Sequence, residues 1–239
     1  MKKYLLLIIL MAIIVAASGC IGSGGAGSGK VVNETVKVIG FDQVALDGMG
    51  TLIITQGKNE SLIIEAEDNV IPHIKTSVQN NKLQISYDNV STPTPTKPVI
   101  FHLSVKNLNS IDVSGAAKLN SDNLNTDKLN IFVNGAAEGN LTNLNLNSLI
   151  LTISGAGKVN ASGNADTQTI TINGAGEYSA PSLNTLNTSV TINGAGKTTV
   201  KVSEILNAII NGGGEVVYFG NPKVTKQVNG MGKINQAVY

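Results

Sequence analysis

From Val99 to the end of the chain, apolar and polar positions alternate with period two in short bursts, and each burst closes on a variant of one small-residue motif. The variants are Ser114-Gly115-Ala116-Ala117-Lys118, Asn134 to Glu138, Ser154 to Lys158, Asn173 to Glu177, Asn193 to Lys197, Asn211 to Glu215 and Asn229 to Lys233. Successive motifs start 20, 20, 19, 20, 18 and 18 residues apart. Self-similarity at a fixed period of this length marks stacked repeats. The residue before each motif is Val113, Val133, Ile153, Ile172, Ile192, Ile210 and Val228, always apolar. Two positions earlier stand Ile111, Ile131, Leu151, Ile170, Val190, Ala208 and Lys226, apolar in all but the last. Between them, Asp112, Phe132, Thr152, Thr171, Thr191, Ile209 and Gln227 are mostly polar. Alternation held in register through every copy predicts a strand with one buried face. A second apolar segment precedes it at Leu108-Asn109, Leu129-Asn130, Leu149, Leu186-Asn187 and Leu206-Asn207. Each repeat therefore reads as one coil of a parallel β-helix with two or three short strands. Stacking coils about 4.8 Å apart lines the aliphatics into columns, giving a rod on the order of 30 Å tall with a long, thin core.

The motif itself predicts a corner. Its second position is Gly115, Gly135, Gly155, Gly174, Gly194, Gly212 and Gly230, with Gly48 at the equivalent place in Asp47-Gly48-Met49-Gly50. A position filled only by glycine requires a positive φ or leaves no room for a Cβ. The fourth position also accepts Ala117 and Ala137, so it demands smallness. Stacked Asn173, Asn193, Asn211 and Asn229 predict either an amide ladder between coils or plain turn chemistry. The fifth position alternates strictly in sign: Lys118, Glu138, Lys158, Glu177, Lys197, Glu215, Lys233. Opposite charges at strand spacing contribute about 0.2–1 kcal/mol per pair, less when solvated, so such a ladder is suited to fixing register.

Upstream of the repeats, short apolar alternations at 35–39, 44–46, 52–55, 62–65 and 82–87 are bounded by turn residues and predict a run of strands. Asp68 to Thr76 has room for one helical turn at most, because Pro72 lies in its middle. Ser91 to Pro98 is Thr- and Pro-rich and reads as a stiff extended segment, either a domain linker or a surface loop inside one domain.

Residues 1–19 carry Lys2 and Lys3, an apolar run and then small residues, the pattern of an export signal. Ala17-Ser18-Gly19-Cys20 resembles a lipoprotein processing box, which makes Cys20 the candidate lipidated first residue of the mature chain and the membrane a partner through that lipid. Ile21 to Gly29 is Gly- and Ser-rich and predicts a flexible tether, so that residues 20–30 link the anchor to a β-rich part at 31–98 and the repeats at 99–239. Cys20 is the sole cysteine, so no intramolecular disulfide forms. Without Lys2 and Lys3 the chain has 15 basic and 16 acidic side chains and no block of one sign, which argues against nucleic acid as a partner.

Candidate chemistry is sparse. His73 and His102 have no Cys, Asp or Glu at metal-ligand spacing, so no metal or cofactor is expected. The Gly motifs lack the Gly-Lys-Ser/Thr ending and following helix of a phosphate loop. Sugar-cleaving β-helices need convergent carboxylates, whereas Asp112, Asp122, Asp127 and Asp166 fall at unrepeated offsets. The Thr152, Thr171, Thr191 column is interrupted by Phe132 and Ile209, which argues against an ice-binding array. Six Asn-X-Ser/Thr triplets occur, at Asn33, Asn59, Asn89, Asn140, Asn160 and Asn187.

The order of Gly40-Phe41-Asp42-Gln43-Val44, Leu52 to Gly57, Ile63 to Asn69, Lys82-Leu83-Gln84-Ile85 and the repeated Ser/Asn-Gly-Ala-Gly turns resembles the head GIN domain family, described as putative autotransporter adhesins. The likeness spans about residues 36 to 239. It implies a pectin-lyase-like, right-handed parallel β-helix, all-β, of about seven to eight coils, without catalytic residues and with Ser91 to Pro98 a loop inside one domain. It also implies a surface-exposed, extracytoplasmic protein for which adhesion is the proposed role. The expectation is thus a non-catalytic, membrane-anchored binding module, with cell-surface glycans or proteins as candidate partners. A polysaccharide-active β-helix enzyme and a passive envelope component are the alternatives.

Overall fold

The computed structural model describes residues 25–88 and 92–237. The expected export signal and Cys20 lie outside the described residues. The strands are β1 (Val31–Val36), β2 (Gln43–Gln56), β3 (Ser61–Glu67), β4 (Ile74–Gln79), β5 (Lys82–Tyr87), β6 (Ile100–Val105), β7 (Ser110–Asp122) and β8 (Asn125–Gly135). They continue with β9 (Glu138–Gly155), β10 (Lys158–Gly174), β11 (Glu177–Gly194), β12 (Lys197–Gly212), β13 (Glu215–Phe219), β14 (Lys223–Gly230) and β15 (Lys233–Gln236). Among the described residues the only helical element is a single 3-10 turn at Ile71–His73, with Pro72 near its start. This is the one turn that the Asp68 to Thr76 segment allows.

The long strands bend round corners, and each stacks in parallel on the next. One vertical line of partners runs Gln43, Ser110, Asn130, Ile150, Thr169, Ser189, Asn207, Thr225. The chain thus places eight rungs at this edge and completes six full turns between Ser110 and Thr225. Each turn has three faces: a first after the charged fifth position, a second from about Asn164 to Asp166, and a third from Gln168 to Asn173. The predicted columns point inward on the third face through β12, whereas their last members on β14, Val228 and Lys226, are exposed. Val113, Val133, Ile153, Ile172, Ile192 and Ile210 are buried, as are Ile111, Ile131, Leu151, Ile170, Val190 and Ala208. Seen along the rod, they form one continuous core.

The repeats begin earlier than Val99. β2 is the first rung, since Asp47-Gly48-Met49-Gly50 stacks residue for residue on Ser114-Gly115-Ala116-Ala117. Residues 57–109 are an excursion from that rung. It returns as a cap: β5 pairs with Gln43–Leu46 and β6 with Thr51–Gln56, after which β3 and β1 add antiparallel strands. Residues 31–98 are therefore joined to the solenoid, and Thr92 to Pro98 is a loop of that cap.

The tether expected through Gly29 is not free over its last residues. Gly27 N–H donates to Thr94 O at 2.9 Å, and Thr94 N–H donates to Gly25 O at 2.9 Å. The fully buried Glu67 carboxylate accepts from Gly29 N at 2.7 Å, Thr96 N at 2.8 Å and Thr96 Oγ1 at 2.6 Å. Asn69 adds bonds to Ser28 N and Ala26 O. The residues are small and polar, as a linker's are, but their backbone groups find a buried carboxylate that supplies what water would otherwise supply.

Candidate binding faces

Each corner glycine has a positive φ, from 105° at Gly115 to 140° at Gly230. A Cβ at Gly174 would lie 2.6 Å from the carbonyl oxygen of Gly155 on the rung below. That same oxygen accepts from Ala175 N–H at 3.0 Å, so the corner brings two backbones together through a hydrogen bond that a side chain would displace. At the fourth position Gly176 has no room either, because an added Cβ would sit 2.6 Å from Ile153 Cγ2.

The first corner position carries an amide ladder at one end of the rod. Asn193 Nδ2 donates to Asn173 Oδ1, Asn211 to Asn193 and Asn229 to Asn211, each at 2.8 Å. Ser154 and Ser114 are too short to continue it. The charged column resolves into three pairs: Lys118–Glu138 at 3.4 Å, Lys158–Glu177 at 3.2 Å and Lys197–Glu215 at 3.2 Å. All six side chains are well solvated, so each pair is worth about 0–1 kcal/mol.

The remaining candidate residues are spread over the rod. His73 Nδ1 lies 3.0 Å from Asp88 Oδ1, and Lys75 approaches the same carboxylate, while His102 lies 3.4 Å from Glu65. The His73 hydrogen bond is the main reason the Asp88 carboxyl is held below its ordinary range. Asp112 is bonded to Lys82, and Asp122 accepts from Thr142 and Asn143. Asp127 accepts from Asn147 at 3.0 Å. Asp166 differs: among the described residues it makes no hydrogen bond or ion pair, and it lines a recess of about 350 Å³.

That recess lies on the second face and has a cause in the coil lengths. Ala180 pairs with Val200 and Asn184 with Lys201, so Pro181, Ser182 and Leu183 have no counterpart on β12. The shorter coil cuts the corner and leaves a step lined by Asn164, Asp166, Asn184, Leu186, Lys201 and Asn221, among others. Leu186 is 42% exposed here. This corrects its expected place in the inward column with Leu129, Leu149 and Leu206, which Thr188 occupies instead. The Leu-Asn pair misled because Leu186 lies seven residues before its corner motif at Asn193, whereas Leu129, Leu149 and Leu206 each lie five before theirs, so it stands level with the exposed Asp166 of β10.

Beneath the step runs a polar cluster that sequence reasoning missed. Gln168 Nε2 donates to Thr188 Oγ1 at 3.0 Å and lies 3.3 Å from Thr185 Oγ1. Tyr178 OH donates to Gln168 Oε1 at 3.1 Å, and Thr185 Oγ1 donates to Lys201 O at 2.7 Å. All four side chains are buried. Burial pushes the Tyr178 hydroxyl far above its ordinary range, so it serves as a donor. The signal available was Gln168 and Thr188 interrupting a column of leucines.

Comparison with known proteins follows the same outline. No curated protein matches the chain by sequence. A crystal structure of a putative adhesin from Bacteroides fragilis superposes with a TM-score of 0.86 at 25% identity, covering 90% of this chain and 100% of that one. A putative adhesin from Parabacteroides merdae gives 0.68 at 21% identity, covering 89% and 98%. A putative lipid binding protein from Parabacteroides distasonis gives 0.70 at 19% identity, covering 89% and 99%. The latter two likenesses show the fold alone. The family model "Putative auto-transporter adhesin, head GIN domain" matches residues 40–222, a span that takes in β2, the whole cap excursion and the coils through β13. With its Gly-cornered solenoid and that match over most of its length, the chain belongs to the head GIN domain family.

Proposed function

We propose that the protein is an exported, lipid-anchored, non-catalytic adhesion module that presents a rigid β-solenoid on the outer side of a membrane. The observation that carries this reading is the surface. Two outward columns repeat in register, the amide ladder from Asn173 to Asn229 and the alternating charges from Lys118 to Glu215, while Asp112, Asp122 and Asp127 are committed to hydrogen bonds within the fold. Repeated outward groups at about 4.8 Å spacing offer several weak contacts at once, and linked weak contacts add to avidity without a deep pocket. Membership in a family described as adhesins and the fold shared with the Bacteroides fragilis adhesin support the same role.

The anchor would lie at Cys20. Gly25, where the chain is already held against the cap, is five residue steps from Cys20, a reach of at most about 18 Å. The capped end would then face the membrane and the β14–β15 end would point outward. Feeding labelled palmitate to cells tests the anchor: incorporation that persists in Cys20→Ala removes it. The adhesion role is tested by measuring binding of the purified chain to whole cells, cell-wall fractions and a glycan array. Specific, saturable binding is expected; no binding to any of the three overturns the role.

A further inference from the structure

Taking the adhesion role proposed above, on which this step rests, we infer that the recess between β10, β11 and β12 is a subsite for one neutral sugar ring of a surface glycan. Its lining has the amphiphilic character of such a ring. Leu186 is an exposed aliphatic side chain on an otherwise polar face, above the buried Ala165 and Val202. The C–H face of a pyranose can rest on that patch and remove it from water. Around the patch stand groups with unused hydrogen-bonding capacity. Asn184 Nδ2 donates to Asn164 Oδ1 at 3.0 Å, which leaves Asn184 Oδ1 as an acceptor and Asn164 Nδ2 as a donor. A hydroxyl group is both donor and acceptor and satisfies that pair. The unpartnered Asp166 carboxylate accepts from two further hydroxyls through charge-assisted bonds.

Charge and size select the class of ligand. Asp166 and Lys201 bring one charge of each sign to the lining, so neither a polyanion nor a polycation is favoured over a neutral sugar. The volume of about 350 Å³ is near the lower end of small-molecule sites, roughly 300–1,000 Å³, so it admits a single ring with its neighbours in the glycan outside. The floor is rigid, because Thr185 is tied to Gln168, Thr188 and the Lys201 carbonyl. The site is therefore preorganised without being deep.

Methyl glycosides of glucose, galactose, mannose and N-acetylglucosamine, titrated into the isotope-labelled protein and followed by amide chemical shifts, provide the test. At least one should shift the amides of Asn164, Asp166, Asn184 and Leu186 with a Kd of about 1–10 mM, as suits one shallow subsite. Asp166→Ala and Leu186→Ser each alter a solvated side chain, so both should keep the parent melting temperature and weaken that binding about tenfold. Thr152→Ala, on the third face, should leave it unchanged. Absence of shifts with all four glycosides, shifts centred elsewhere, or full affinity in both recess variants overturns the subsite. Whole-cell binding by the same proteins separates the two levels: adhesion without sugar shifts removes the subsite alone, whereas no adhesion by the parent chain removes the role on which it rests.

Discussion

Glu67 shows how much one residue does at the capped end. Four donors converge on its buried carboxylate, from Gly29, Thr96 twice and Lys97, and they hold its pKa down from 4.5 to about 2, with the Thr96 hydroxyl the largest cause. A folded pKa depressed below the unfolded value contributes stability that is present above about pH 4.5 and is lost as pH falls towards about 2. Protection of the Gly29 and Thr96 amides, relative to the intrinsic exchange rate at each pH, should fall over that window before that of the solenoid amides, and Glu67→Gln should show the low protection already at pH 7. Unchanged protection in the variant would remove the clasp. The corner glycines make a second residue-scale case. Gly174→Ala should lower stability by at least about 1–3 kcal/mol from backbone strain, with the clash against Gly155 O added. Gly213→Ala, whose Cβ meets nothing within 4 Å, should be close to neutral in the same thermal melt. The glycine requirement was legible because only one residue type fills that position. The Glu67 clasp was not, since a single glutamate beside Asp68 carries no mark of the donors that fold onto it.

At the scale of the element, the coil is defined by what it repeats and individualised by where it fails to repeat. The alternating charges were legible as a column, but the structure pairs them two by two, so their influence is local. Glu177→Lys removes the Lys158 pair and places three lysines in succession at rung spacing. Its melting temperature should fall more at low salt than at high salt, because exposed charges are screened over roughly 10 Å at 0.1 M. Equal losses at both ionic strengths would show that the column has no electrostatic part in register. Leu186 marks the limit of periodic reading. Its Leu-Asn context matches Leu129 and Leu206, yet it lies seven and not five residues before its corner motif and stands level with the exposed Asp166 of β10, so it faces outward. A one-dimensional period says how far apart coils start, whereas the corner at which a shorter coil absorbs its deficit depends on packing between neighbours.

For the whole molecule, the ends matter as much as the shaft. The capped end is closed by β1, β3, β5 and β6, whereas at the other end β14 and β15, among the described residues, pair only with β12 and β13 and are largely exposed. Lys226 occupies the last place in an otherwise apolar inward column, donates to Ile234 O at 3.1 Å and lies 5.4 Å from the Tyr218 ring centre. Nearby Val228 is 41% exposed and Met231 89%. Lysine on a sheet edge opposes edge-to-edge pairing. Lys226→Leu should therefore promote self-association, read as a concentration-dependent increase in mass by light scattering; an unchanged mass at all concentrations would deny Lys226 that part. The sequence by itself determined the all-β class, the parallel stacking, the inward columns and the corners, because each is written as the same chemistry at a fixed spacing. Only the tertiary structure decided that β2 is the first rung, that Gly25 to Lys30 is held, and that a recess with an unpartnered carboxylate opens at Asp166. Those features arise where unlike segments meet once, and a contact made once leaves no period for the sequence to show.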